Sequence, residues 1–233
     1  AYIFISGSQR DLMEDLDLPQ ERMFVKHNFV VDPPAVPRTP QHQVAFVGRL
    51  DAAKGIPLLL QGWDGFRARR PRSGLRLVVV GGGPMEAAVR AWAASRPAVE
   101  VTGLLPREEA VGVLAHSLGA VVTSQWEETF GLVAVEAMAA AVAPIAAARG
   151  SFPELITHGV DGLLVQPGDP AALADALGEA DRDPQGFVAM GRRARETYER
   201  RFRPETNVDQ LLDIYRFALS HPVGATAKAP SDA

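Results

Sequence analysis

Glu128 and Glu136 stand with seven residues between them in the run Glu127-Glu128-Thr129-Phe130-Gly131-Leu132-Val133-Ala134-Val135-Glu136-Ala137-Met138-Ala139. The preceding Ala120-Val121-Val122-Thr123 reads as the end of a buried strand, Phe130-Gly131 as a turn, and Leu132 to Ala140 as a helix. Glu128 then sits just before the helix, with Glu136 about two turns along it. Between them lies a helix start whose unpaired N–H groups and positive dipole end favour an anion. Carboxylates on either side of such a cradle can hold hydroxyls that flank a phosphate. The plainer reading makes both glutamates surface groups, but Val133, Val135, Ala137 and Ala139 leave little room for a solvated face around Glu136.

A second group follows the apolar Val44-Ala45-Phe46-Val47 and reads Gly48-Arg49-Leu50-Asp51-Ala52-Ala53-Lys54-Gly55. Of the 24 Lys and Arg residues only Lys26, Lys54 and Lys228 are lysines, so Lys54 stands out as a compact point charge in an arginine-rich chain. Arg49 and Lys54 on one strand-to-helix loop can clamp a diphosphate from two directions. Alternatively, Arg49 covers the sheet edge and Lys54 is solvated. Gly81-Gly82-Gly83-Pro84 permits close backbone approach, for which helix packing is a stronger reason than phosphate binding. Thr102-Gly103-Leu104-Leu105-Pro106 is an ordinary turn that would also suit a nucleobase edge. Trp126 reads by default as a core or rim aromatic, with packing near the site as the alternative. Both Asp-x-Asp runs, Asp15-Leu16-Asp17 and Asp181-Arg182-Asp183, read as solvated surface, and no histidine has ligand spacing. No metal site is expected.

The elements that must position these groups follow from short Val- and Ile-rich runs alternating with helix-length segments, the pattern of a doubly wound, Rossmann-like α/β sheet flanked by helices. Strands are predicted at 43–47, 75–80, 99–102, 119–123, 143–147 and 162–165, and helices at 56–68, 84–94, 107–116, 132–140 and 170–177. Two further helices are expected at about 185–202 and 205–219. Open parallel sheets place ligands at the carboxyl ends of their strands, where all four loops above fall. Before this unit, Tyr2 to Ile5 reads as a strand and Ser8 as the cap of a short helix through Leu16. A lone strand and helix form no core, so residues 1–20 are expected to be the remnant of a preceding domain. Residues 21–40 make a connection rich in proline (Pro33, Pro34, Pro37, Pro40), and 222–233 a disordered tail.

A length of 233 residues with 47% hydrophobic content supports one large α/β core or a domain and a half. There is no cysteine and no apolar run of membrane-spanning length, which together point to a cytoplasmic enzyme domain. A net charge of −4 argues against nucleic acid as a partner. Beginning at Ala1-Tyr2-Ile3-Phe4-Ile5, the chain is expected to be the later part of a longer protein.

In this order, the motifs resemble the C-terminal, donor-binding half of GT-B retaining glycosyltransferases of the group 1 family. The similarity rests on Gly48-Arg49-Leu50 with Lys54-Gly55, Val80-Gly81-Gly82-Gly83-Pro84, Glu128 through Ala139, Phe152-Pro153-Glu154-Leu155-Ile156, and Asp161-Gly162-Leu163-Leu164-Val165 with Pro167-Gly168-Asp169. It implies that Arg49 and Lys54 bind the donor diphosphate beside Gly48, that Glu136 takes the ribose hydroxyls, and that Glu128 holds the sugar or supports its departure. It also implies that Gly131, Leu132 and Val133 offer N–H groups to the distal phosphate, with Leu104 and Leu105 near the base. The donor would be a UDP-, GDP- or ADP-sugar, used without a metal cofactor, and the acceptor is unknown. The missing N-terminal domain would make this part alone a weak catalyst. Ala141 departs from the family's usual Gly, with strain expected if its φ is positive. The last helix is expected to expose Leu211, Leu212, Ile214, Tyr215, Phe217 and Leu219 in part and so promote self-association. Two competing readings are a nucleotide-sugar epimerase of GT-B architecture and a non-catalytic nucleotide-sugar-binding module.

Overall fold

The computed structural model describes residues 1–33 and 39–222. The proline-rich connection lies partly, and the expected disordered tail almost wholly, outside the described residues. Three elements come first: β1 (Tyr2–Phe4), α1 (Gly7–Asp11) and β2 (Met23–Val25). The expected lone strand has a parallel partner, with Tyr2 opposite Met23 and Phe4 opposite Val25. Ser6, rather than Ser8, caps α1 by accepting from the Gln9 N–H, and the helix stops at Asp11 before a separate 3₁₀ turn at Glu14–Leu16.

The main unit alternates β3 (Gln43–Val47), α2 (Ile56–Arg69), β4 (Arg76–Val80), α3 (Glu86–Ala93), β5 (Val99–Gly103), α4 (Arg107–Ala115), β6 (Gly119–Val122), α5 (Leu132–Ala139), β7 (Ala143–Ala147), α6 (Phe152–Leu155), β8 (Leu163–Val165), α7 (Pro170–Arg182), α8 (Pro184–Arg201) and α9 (Pro204–Ser220). All six strands β3 to β8 run parallel in the order β5-β4-β3-β6-β7-β8. The chain winds outward from β3 through β4 to β5, then returns to place β6 on the other flank of β3. A crevice therefore opens between β3 and β6, where successive crossovers leave on opposite faces of the sheet.

Strand alternation fills both faces. Val44 and Phe46 of β3 join Leu77 and Val79 of β4 in a cluster closed by Leu59, Trp63 and Phe66 of α2 and Leu173 and Leu177 of α7. Ala45 points to the other face, where Ala137 of α5 and Leu114 of α4 cover it. Alongside, Val135 and Met138 pack with Tyr198 and Phe202. Burial of this extent is the main driving force for folding, at about 25 cal/mol per Å² of apolar surface removed from water.

Long-range pairs fasten the ends. Arg195 grips Asp32 through two bonds of 2.5 and 2.7 Å and donates to the Ala139 carbonyl at 2.7 Å, tying the incoming chain to the end of α5. The hydrogen bonds from Arg195 hold the Asp32 carboxyl below its usual range against the opposing effect of burial. Asp181 corrects the solvated reading of its Asp-x-Asp run. Its side chain is only 8% exposed and accepts from Arg70 and Ser73 at 2.5 Å each. Burial would raise its pKa, but these bonds outweigh burial and lower it. Asp183 caps α8 through the Gly186 N–H. The packing of α7 along α2 also carries that helix past Gly178, five residues beyond the predicted end at Leu177.

α9 returns to the N-terminal strands, with Phe217 edge-on to Phe24 at 4.9 Å and Asn207 joined to Lys26 and to the His27 carbonyl. Ile214 is buried, whereas Leu212, Tyr215 and Leu219 are exposed.

Ala141 has φ 58°, the left-handed conformation in which a Cβ is strained. Ala141→Gly is expected to stabilise the fold by about 0.5 to 1 kcal/mol, the relief being partly offset by the freer unfolded chain. A melting temperature equal to or below that of the parent would show that no strain is stored there.

Candidate functional site

Four loops at the carboxyl edge of the sheet are joined side by side through their backbones. Gly48 N–H donates to Val80 O and Leu50 N–H to Gly82 O, both at 3.0 Å, and Gly81 N–H donates to Gly103 O at 2.8 Å. On the other side Gln125 N–H donates to Ala53 O at 2.8 Å, and Thr123 Oγ1 donates to Lys54 O at 3.0 Å. Glycine makes this approach possible: a Cβ on Gly81, at φ 141°, would overlap the Gly48 carbonyl oxygen. The packing reading of Gly81-Gly82-Gly83 is therefore sufficient to explain it. The Ser151 N–H extends the series by donating to Glu128 O at 2.9 Å.

Within this frame a cavity of about 270 Å³ opens at the β3/β6 crevice, lined by Gly48, Lys54, Thr123, Ser124, Glu128, Gly131, Leu132 and Val133 among others. The Lys54 ammonium pairs with Glu128 Oε1, and Ser124 Oγ donates to the same oxygen at 2.7 Å. Asp51 Oδ1 accepts from the Lys54 N–H at 2.8 Å and so fixes the turn carrying the lysine. Gly131 enters α5 at φ 73°, and no side chain among the described residues caps that helix. The Ala134 N–H donates to Gly131 O at 3.0 Å, whereas the N–H groups of Leu132 and Val133, both lining residues of the cavity, have no acceptor among the described residues, which is the electrostatic condition for holding an anion.

The other expected site residues lie around this cavity rather than in its lining. Arg49 is 70% exposed on its side chain and pairs with Asp51 at 3.0 Å. Leu104 is exposed, and a Cβ on Gly82 would sit 3.8 Å from its Cβ; Leu105 is half-buried. Glu136 lines a neighbouring groove of about 450 Å³ with Arg107, whose Nη2 is 2.9 Å from Glu136 Oε1. Trp126 is exposed at 69%, on the surface rather than in the core.

Sequence reasoning missed Ser124, Asp51 and Arg107. Asp51, three residues before Lys54, carries a local signal, because Asp side chains bond backbone N–H groups in turns. Arg107 carries none, since its partner is 29 residues away. Among the described residues no group of three or more His, Asp or Glu is placed to hold a metal ion, and no helix is long and apolar enough to cross a membrane.

Other motif residues prove structural. Glu154 accepts from the Gly7 N–H at 2.8 Å and pairs with His27 at 2.6 Å. Asp161 is buried between the Thr157 N–H and the Thr197 hydroxyl. Asp169 caps α7 through the N–H groups of Ala171 and Ala172.

Comparison with known proteins accords with this geometry. The chain is 32% identical over 184 residues to a D-inositol 3-phosphate glycosyltransferase of Corynebacterium kroppenstedtii, covering 76% of this chain and 40% of that protein. It is 35% identical over 191 residues to the protein of that name from Mycolicibacterium smegmatis, covering 78% and 42%. The chain thus spans about two-fifths of the length of these relatives. The crystal structure of Anabaena Alr3699/HepE in complex with UDP and glucose superimposes with a TM-score of 0.78 over 92% of this chain and 62% of that one, at 21% identity, a likeness of fold. The family model of glycosyl transferases group 1 matches residues 32–197, a span that holds every loop of the carboxyl-edge series, and the chain belongs to that family.

Proposed function

We propose that this chain is the donor-binding part of a glycosyltransferase that, with the remainder of its protein, moves a sugar from a nucleoside diphosphate to an acceptor with retention of configuration. One observation carries the reading: Lys54, Glu128 and the uncapped start of α5 line a single cavity where the winding of the sheet reverses. The UDP and glucose bound to the Anabaena protein support a nucleotide-sugar ligand for this architecture.

Cleaving a glycosyl phosphate builds negative charge on the diphosphate and positive charge on the sugar ring. In this reading the diphosphate takes the position in front of Gly131, Leu132 and Val133, and its arrival draws Lys54 away from Glu128. Arg49, exposed and paired with Asp51, closes on the outer phosphate. Glu128, released from the ammonium and still held by Ser124, faces the sugar. The positive groups are in place before the bond breaks, so little reorganisation opposes charge development.

Calorimetric titration of the chain with UDP, GDP and ADP, each with and without an attached sugar, is the test. One base is expected to bind more tightly than the other two, with affinity falling as salt rises; no binding by any of them would end the proposal. Glu136→Ala is expected to cost about 1.5 to 3 kcal/mol of nucleotide affinity, as for hydrogen bonds to a charged group. Equal affinity in that variant would remove Glu136 from the ribose.

A further inference from the structure

Arg107 and Glu136 come from different helices and differ in setting. Glu136, with 20% of its side chain exposed, stands on α5 beside the buried Val135, Ala137 and Ala139. Arg107 begins α4 immediately after the Leu104-Leu105-Pro106 turn, and its side chain is 66% exposed. Their contact uses one oxygen, Oε1, and leaves Oε2 without a partner among the described residues. An ion pair with one end so open to water adds little to folding stability. Its effect on geometry is larger, because a glutamate side chain otherwise loses several rotamers when it binds a ligand.

We infer that Arg107 is a positioning residue for nucleotide recognition, holding one oxygen of Glu136 so that the other meets a ribose hydroxyl. This rests on the assignment of Glu136 to the ribose proposed above. A recognition group held by a supporting partner loses less freedom on binding and discriminates more sharply than one left to find its own rotamer. In sequence Arg107 follows directly on the Leu104-Leu105-Pro106 turn, where the base is expected.

The experiment titrates the chain with whichever of UDP, GDP and ADP binds most tightly and with the 2′-deoxy counterpart of that nucleotide. The parent is expected to prefer the ribonucleotide by about 10- to 100-fold, the usual range for a hydrogen bond to a charged group. Arg107→Met, which keeps the apolar stem at an exposed position, is expected to narrow the preference to about threefold while changing affinity for the deoxynucleotide by less than about twofold. Equal weakening of both nucleotides, or an unchanged ratio, overturns the positioning role. Glu136→Ala separates the two levels of the argument. If the preference vanishes in Glu136→Ala but survives in Arg107→Met, the ribose assignment stands and Arg107 is excluded. A preference that is absent in the parent, or that persists in Glu136→Ala, overturns the ribose assignment and the inference with it.

Discussion

Lys54→Ala is expected to lower the turnover of sugar transfer in the full enzyme by about 10²-fold or more, the loss typical of removing one preorganised charge from a developing oxyanion. The ammonium lines the crevice cavity and has Glu128 as its partner there. On the proposed assignment, removing it takes positive charge from the leaving group; it also leaves Glu128, with 15% of its side chain exposed, dependent on the Ser124 hydroxyl. Steady-state kinetics and thermal melting measured together separate the two effects. A large fall in kcat with a nearly unchanged melting temperature is the expected pattern, because the pair is partly open to solvent and such pairs contribute little to folding. Unchanged kinetics would discard the diphosphate assignment, and a collapse in melting temperature would make the pair a structural one.

The neighbouring residue gives the largest expected effect on stability. Gly55 holds φ 76° at the start of α2, and a Cβ there would overlap the Thr123 carbonyl oxygen and lie 2.6 Å from its carbon. Neither partner can yield easily: Thr123 leaves a central strand, and Gly55 is fixed by bonds to Ala52 and Leu59. Left-handed strain and overpacking each cost about 1 to 3 kcal/mol, so Gly55→Ala is expected to lose about 3 to 5 kcal/mol. For a chain of this size that corresponds to a melting temperature roughly 10 °C lower. A fall of less than about 2 °C in a calorimetric scan would show that the β3 and β6 loops can separate without penalty.

Local rules made much of this architecture legible. Strands buried on both faces are continuous apolar runs, so β3 and β7 fall on their predicted residues. The helices after Gly131 and at Pro170 start where expected, and the last two start one residue earlier than expected, at Pro184 and Pro204, prolines that suit a first helical position. The failures came where tertiary packing prevails over local pattern. Gly178 resembles a helix end, yet α7 continues through it because the packing against α2 does. Asp181 resembles surface until Arg70 and Ser73, more than 100 positions away, surround it. Within the site, the spacing of the glutamates singled out Glu128 and the rarity of lysine singled out Lys54 as candidates. Neither gave a sign that they touch, since that contact depends on β6 returning beside β3.

The loops of the carboxyl edge are fastened mainly main chain to main chain, which leaves Arg49, Leu104 and Arg107 few architectural duties. Natural drift or laboratory selection can therefore change those three side chains, which the proposed function places around the nucleotide, while the scaffold beneath keeps its shape. Substrate preference in such a frame is interchangeable equipment, and the glycines that permit the lacing are the parts that cannot be exchanged.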